Sequence, residues 1–355
     1  MKASFTKYTL RFKQAAGTSK GVLNDKVSYF IFLEENGITG IGEASLIPGI
    51  SPDDPGIMPG KLAEVCQHIN SGISPLEVDD LNTFPSIRFA LETARLDLKH
   101  GGMRQLFSSE FARGEQQLPI NGLIWMAEPD KMLQQIQDRI SEGFRVIKMK
   151  IGSLDFEQEL KLLKQVRKEF SADEIEIRLD ANGAFQKEDA LSKLKELSEF
   201  KIHSIEQPIR QGQWQSMAKL CSASPIPIAL DEELTGIIGS GMKQKLLQAI
   251  QPSYIILKLS LTGGFIAARE WIKAAEKENI GWWITSALES NIGLNAIAQF
   301  AAANDVTIPQ GLGTGKLFVN NISSPLEIKN GFLYLNPEGS WDLSPVLSSE
   351  FREKQ

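Results

Sequence analysis

Cysteine is nearly absent from this chain of 355 residues: Cys66 and Cys221 stand alone, and neither belongs to a C-x-x-C pair. A disulfide framework is thereby excluded, and a reducing cytoplasm is the expected setting. An excess of basic residues is also missing. Lys and Arg number 38 against 44 Asp and Glu, giving a formal net charge of −6 and a pI near 5.4. No electrostatic footprint for nucleic acid exists, so an anionic partner would have to be small and met by locally placed positive charge. No apolar run is long enough to span a bilayer, and the opening "MKASFTKYTLRFKQ" intersperses charges where a signal peptide would have an apolar core. Neither a membrane partner nor export is expected. No G-x-G-x-x-G follows a first strand, which removes the usual argument for a dinucleotide fold.

What is present is an ordinary globular composition, 42% hydrophobic and 23% charged. The length suits one large α/β barrel with a smaller domain. Two textures divide it. Over residues 1–115, strand-like runs ("ASFTKYTLRFK", "SYFIFLEENGITGIGEA") are joined through "NGITG", which has hairpin chemistry, and Pro85 opens a helical pattern closed by "HGG". This part reads as α+β.

From about residue 118 the pattern repeats. Short apolar runs end in a polar residue and are each followed by a helical pattern: "GFRVIKMK", "EIEIRLD", "KIHSIE", "IPIALD", "SYIILK" and "GWWITS". Their terminal polar residues are Lys150, Asp180, Glu206, Asp231, Lys258 and Ser286, separated by steps of 30, 26, 25, 27 and 28 residues. That period is one strand, one helix and two loops, and its regularity predicts a closed (β/α) barrel over 116–318, following the α+β part over 1–115.

In such a barrel the C-terminal strand ends converge on one mouth, where chemistry resides. A single charged strand end is normally a solvated one, but five in succession at barrel period point to a site. Three converging carboxylates repel unless a cation lies between them. Asp180, Glu206 and Asp231 are therefore candidate ligands of Mg²⁺, with Mn²⁺ as the other divalent metal possible, and Glu232 stands beside them. Lys148 and Lys150 share one face of their strand because side chains alternate. A neighbouring ammonium and a bound cation disfavour protonation, so Lys148 is expected to tune Lys150 into a base, with Lys258 facing it from a later strand. The three histidines, His68, His100 and His203, lie away from the strand ends, so a histidine base is not expected. A metal flanked by two lysines suits removal of the proton α to a carboxylate, so the expected partner is a small-molecule carboxylate substrate.

The series "KMK", "DANG", "IEQP", "LDEEL" and "ILKLSLTGG" resembles the enolase superfamily, and within it the muconate-lactonizing-like group. The resemblance implies Lys150 as base, Lys148 as its companion, Asp180, Glu206 and Asp231 as Mg²⁺ ligands, and Lys258 as the opposing lysine; it also implies a (β/α)7β TIM-like barrel whose mouth is covered by residues 1–115 as an N-terminal α+β capping domain, to which residues 319–355 return. A narrower resemblance to a dehydratase branch of that group rests on "GTSKGVL", "GIGEASLIPGIS", "PINGLIWM", "SALESNIGLNAIAQFAA" and "PQGLGTGKLF". It implies syn dehydration of a hydroxylated cyclohexadiene carboxylate. N-acylamino acid racemisation or dipeptide epimerisation is the other reading, since two opposed lysines would serve either.

Candidate substrate contacts are Thr18, Ser19 and Lys20 in "GTSKG", a loop suited to closing on a ligand. Ser286 and the glycines Gly311, Gly313 and Gly315 leave room and backbone N–H groups for an anion. Both segments also read as ordinary turns. Trp125, Met126, Trp282 and Trp283 are expected as strand and wall packing.

Overall fold

The computed structural model describes residues 1–18, 21–78 and 81–347. Three antiparallel strands open the chain: β1 (Lys2–Thr18), β2 (Gly21–Glu35) and β3 (Ile38–Ser45). The turn between β2 and β3 is Asn36–Gly37, both with positive φ, as a two-residue hairpin of this twist requires. Two helices follow, α1 (Met58–Asn70) and α2 (Pro85–Lys99), each with proline in its first turn, where a missing N–H costs nothing. Helix α2 lies directly on β3 because two glycines admit it. A Cβ at Gly42 would sit 1.9 Å from the Ala90 carbonyl oxygen, and one at Gly40 2.0 Å from that of Ala94.

The catalytic-sized unit begins with β4 (Leu118–Pro119) and β5 (Gly122–Ile124). It continues as α3 (Pro129–Ser141), β6 (Val146–Lys150), α4 (Phe156–Glu169), β7 (Glu176–Asp180), α5 (Ala190–Ser198), β8 (Ser204–Glu206), α6 (Trp214–Ala223), β9 (Ile228–Leu230), α7 (Ser240–Ile250), β10 (Tyr254–Leu257), α8 (Leu259–Thr262), α9 (Gly264–Lys277), β11 (Gly281–Ile284) and α10 (Asn291–Ala302). Strands β5 to β11 form one parallel sheet in chain order. Gln310 and Gly311 close it, bridging to Ile120 on one side and Thr285 on the other. The ring is thus a (β/α)7β barrel. Helices such as α4 bury one apolar stripe (Leu162, Leu163, Val166) against the strands and carry acids in the first turn and bases in the last, which suits the helix dipole.

The C-terminal segment serves both units. Strand β12 (Leu326–Lys329) pairs with β13 (Phe332–Leu335), and β13 pairs in turn with β4. Asn320 bonds to Tyr8, Thr9 and Arg11 of β1, and Val346 of α11 (Ser344–Leu347) packs with Phe30, Phe32 and Ile41. Among the described residues, no helix is long and apolar enough to cross a membrane.

Polar caps join the two units. Gln299 of α10 accepts the N–H groups of Leu106 and Phe107. Glu92 of α2 accepts those of Phe265 and Ile266, at 2.6 and 3.1 Å, capping the start of α9. Burial pushes the Glu92 carboxyl up to about 7, against the pull of those N–H groups and of Arg88 and Arg269. A carboxyl that holds its proton more tightly when folded loses stability as pH rises from its unfolded value through about 7. Glu92→Gln is therefore expected to match the parent in thermal unfolding at pH 5 and to exceed it at pH 8, by roughly 3 kcal/mol from the linkage relation. An unchanged difference between the two pH values would show that Glu92 ionises freely.

Candidate active site

The barrel register sets the polar strand ends side by side. Lys150 is paired with Asp180 and Asp180 with Glu206, so these three stand abreast. Asp231 and Lys258 follow immediately after β9 and β10. Met149 points outward into the helix layer while Lys148 and Lys150 point into the mouth, as strand alternation requires.

One carboxylate oxygen from each of Asp180, Glu206 and Asp231 lies within 4.8 Å of the others, all three residues buried. Lys148 reaches in beneath them: its Nζ lies 3.0 Å from Asp180 Oδ2 and donates to Glu206 Oε2. Lys258 Nζ is 2.5 Å from Asp231 Oδ2 on the far side. Lys150 Nζ donates to Asn182 Oδ1 at 2.7 Å and stands 3.8 Å from Asp180 Oδ2. Asn182 in turn donates to Glu232 Oε1 at 3.0 Å. With Glu232 included, four carboxylates face three ammonium groups, which leaves negative charge uncompensated.

The titration of the cluster follows from this crowding. Burial pushes the Glu206 carboxyl up to about 8, with the Asp180 and Asp231 charges assisting and Lys148 opposing. Burial and the Asp231 charge similarly raise Glu232 to about 7. Asp180 goes the other way: burial would raise it, but Lys148, Lys150 and Lys258 hold it below the usual carboxylate range. The three lysines separate as well. Burial would lower Lys148, yet Asp180, Glu206 and Asp231 keep it above its ordinary value. Lys258 is likewise raised by Asp231 and Glu232 against burial. Lys150 alone is lowered, first by burial and then by the charges of Lys148 and Lys258, with Asp180 opposing. The leading cause is thus desolvation, with the neighbouring ammonium second, where the sequence suggested the ammonium and a cation.

The donor set fits a hard divalent cation. All three converging ligands are carboxylates, and Glu206 Oε1 is buried without a hydrogen-bond partner among the described residues, an arrangement that is costly unless a cation takes it.

Above the cluster lies a pocket with a polar floor and an apolar wall. Lys148, Lys150, Asp180, Asn182, Glu232 and Lys258 make the floor. Ser286, Gly311, Gly313 and Thr314 line one side, Ser286 Oγ sharing a 2.6 Å hydrogen bond with Thr314 Oγ1. A Cβ at Gly311 would meet Thr285 Oγ1 at 2.6 Å, so glycine is what lets the closing strand approach. Ile47 and Ile50 from the capping domain, with Leu123, Trp125 and Leu288 from the barrel, form the wall.

Trp125 corrects the expectation of strand core. Strand β5 ends at Ile124, and the half-buried Trp125 faces the pocket, its backbone N–H and carbonyl held by the Gln135 side chain at 2.9 and 3.1 Å. Met126 is half-buried on an adjoining groove that shares Ile50, Asn182 and Glu232 with the pocket. Trp283 corrects the expectation of wall packing: by strand register it points into the barrel interior with Ala229 and Ile256, the Arg178 guanidinium 4.7 Å above its ring, while Trp282 packs with the helix-facing core. Of the loop candidates, Ser19 and Lys20 lie outside the described residues, and for Thr18 only the backbone, paired with Gly21, is described. Asn182, Ile47 and Ile50 were not singled out by sequence reasoning. Asn182 had a signal in "DANG", where a residue two past a strand-end acid turns back toward the mouth; its φ is +44°.

Residues 131–339 match the family described as "Enolase C-terminal domain-like". An o-succinylbenzoate synthase of Desulfotalea psychrophila is 47% identical over 363 residues, covering 94% of this chain and 98% of that protein. The crystal structure of MenC from the same organism superposes with a TM-score of 0.85 at 43% identity, covering 94% of this chain and 99% of that one. An N-succinyl-L-Arg/Lys racemase of Bacillus cereus is 24% identical over 297 residues, 78% of this chain and 77% of that protein.

Asp231→Asn keeps the shape of the cluster and removes one ligand charge. Calorimetric titration with Mg²⁺ is expected to show binding weakened by about tenfold or more, with the fold intact by circular dichroism. Unchanged affinity would remove Asp231 from the ligand set.

Proposed function

The chain belongs to the enolase superfamily, and from that premise we infer that it catalyses the o-succinylbenzoate synthase reaction, the syn dehydration of 2-succinyl-6-hydroxy-2,4-cyclohexadiene-1-carboxylate in menaquinone biosynthesis. One observation carries the reading: 47% identity to an o-succinylbenzoate synthase along nearly the whole length of both chains. The racemase and epimerase relatives stand at 23 to 30%.

The residues divide the work by their charge. Lys150, whose ammonium is held below its ordinary value by burial, takes the proton α to the ring carboxylate as a neutral amine. Its hydrogen bond to Asn182 fixes Nζ on one side of the pocket. The proton it takes is then returned to the departing hydroxyl on the same face, so that water leaves and the ring becomes aromatic. A single group on one face accounts for the syn course. Lys258, kept charged by Asp231 and Glu232 against burial, stabilises the enediolate intermediate from the other side. Lys148 stays an ammonium under the carboxylates and adds to the potential that disfavours charge on Lys150. A divalent metal, Mg²⁺ by its all-oxygen donors with Mn²⁺ as the alternative, would be held by Asp180, Glu206 and Asp231 and would supply Lewis-acidic charge for the substrate carboxylate. Ser286, Gly311 and Gly313 offer small, polar lining for the succinyl arm, and Thr18 and Ser19 are proposed as further contacts from their place in "GTSKG". The proposed setting is the cytoplasm, with a small-molecule partner and neither nucleic acid nor membrane.

Racemisation of an N-acylamino acid is the second reading, favoured by the two opposed lysines and the Bacillus cereus relative. Dipeptide epimerisation fits less well. The resemblance leads one to expect an Asp-x-Asp at the eighth strand end, where this chain has "GLGTG".

An ultraviolet assay with Mg²⁺ and the cyclohexadiene carboxylate, run beside an N-succinyl amino acid followed for α-deuterium exchange, decides between them. Rapid, EDTA-sensitive dehydration with little exchange is expected; exchange without dehydration would move the function to racemisation. Lys150→Ala and Lys258→Ala are each expected to abolish dehydration, a loss of about a thousandfold or more, with Mg²⁺ binding retained. Near-normal turnover by Lys150→Ala would show that the base lies elsewhere.

A further inference from the structure

Lys26 is a buried lysine that the chemistry above does not use. It projects from β2 into the seam between the capping domain and the barrel and is 1% exposed. Among the described residues it forms no ion pair within 4.0 Å. Its Nζ donates instead to Ser45 Oγ and, at 2.7 Å, to the carbonyl oxygen of Leu288. Glu43 and Glu289 supply opposite charge at longer range. Both carboxylates are occupied elsewhere. Glu43 accepts from Ser28 Oγ, from the Ser290 N–H and Oγ, and from the Gly293 N–H. Glu289 accepts from Ser260 Oγ and from the Ala287 N–H.

A buried ammonium without a touching carboxylate costs folding free energy, and a methionine would fill the same space without that cost. What Lys26 touches explains its presence. Ser45 ends β3 two residues before Ile47, and Ile47 and Ile50 form the capping-domain side of the pocket wall. Leu288 is in the barrel loop whose Ser286, Ala287 and Leu288 form the barrel's side of that lining, Ala287 and Leu288 sharing one apolar cluster with Ile47. The Leu288 backbone is left-handed, φ +61°, a conformation that leucine disfavours and that needs an outside hold. Lys26 supplies that hold through the carbonyl of Leu288, while Glu289 fixes the N–H of Ala287. One ammonium therefore ties the two loops that close on the substrate from opposite domains.

We propose that Lys26 is a positioning residue, setting the separation of the Ile47–Ile50 and Ser286–Leu288 walls and thereby the seating of the substrate ring. It acts through Ser45 and Leu288 and touches no reacting atom. The kinetic part of this proposal rests on the dehydration reading; the structural part does not.

The test compares the full chain with Lys26→Met, Lys26→Arg and Ser45→Ala. Hydrogen exchange followed by mass spectrometry needs no substrate. In Lys26→Met, segments 45–50 and 286–290 are expected to exchange about tenfold faster or more, with exchange elsewhere unchanged. Melting temperature is expected to hold or rise, because a buried charge has gone. Kinetically, kcat/KM for dehydration is expected to fall by about tenfold to a hundredfold. The fall should lie mainly in kcat, with Mg²⁺ affinity unchanged and partial recovery in Lys26→Arg. A merely structural lysine would lower the melting temperature and leave kcat of the folded enzyme alone. Protection unchanged in both segments, or loosened loops with turnover within about twofold of the parent, would each overturn the proposal. If Lys26→Met does not fold, Ser45→Ala decides by the same readouts, since it removes one tie and keeps the charge. A parent enzyme that fails to dehydrate the cyclohexadiene carboxylate would sink the functional reading, and the exchange comparison would still decide whether Lys26 holds the two walls.

Discussion

Crowding of like charge at the barrel mouth is the constraint on which the rest of this protein depends. Four carboxylates and three lysine amino groups, all buried or half-buried, meet within a few side-chain lengths, and no arrangement of protons satisfies all of them. Desolvation makes each charge expensive, and proximity makes each depend on the others. The outcome is a separation of roles among identical residue types. Lys148 and Lys258 touch carboxylates and remain cations, whereas Lys150 hydrogen-bonds to a neutral amide and is the lysine whose proton is easiest to lose. Glu206 gathers protonation that Asp180 refuses. A divalent cation would relieve the imbalance, and Glu206 Oε1 is left with no other partner among the described residues.

Such a cluster needs rigid support below and exclusion of water above. The parallel register supplies the support, setting Lys150, Asp180 and Glu206 abreast on neighbouring strands. Exclusion comes from the capping domain, whose Ile47 and Ile50 complete a wall that the barrel alone leaves open. The two units are joined by polar groups that satisfy backbone N–H groups across the seam. Glu92 caps α9, Glu43 meets the start of α10, and Gln299 holds the chain leaving the capping domain. Apolar packing crosses the same seam, Leu10 and Ile47 with Ala287 and Leu288, Phe30 and Phe32 with Ile292, and Phe89 against Phe265, so the directed bonds orient an interface that apolar contact also holds.

Much of the barrel was legible because its signals are local. A strand, a helix and two loops occupy a nearly fixed length, so the polar residues ending "GFRVIKMK" through "GWWITS" recur at a regular period and mark the mouth. The eighth strand was harder to see. It consists of the bridges at Gln310 and Gly311, too short for any alternation to register. Trp125 was misread because an apolar run continues past the point where β5 ends, and hydrophobicity does not say where the hydrogen-bonded ladder stops. Ile47 and Ile50 carried no catalytic signal at all. They matter only because a separate domain folds over the barrel.

The sequence by itself determined the class of fold, the order of charged groups around the mouth and the kind of cation those groups suit. Each of these follows from residue type and spacing, which local geometry converts into direction. Tertiary structure decided which lysine is pushed below its ordinary value, which carboxyls are pushed up, what lines the pocket and how the domains are tied. Those outcomes depend on burial and on distances of a few ångströms between residues hundreds of positions apart, as between Glu43 and Ser290. Desolvation and short-range electrostatics act through space, and the linear chain does not carry that distance.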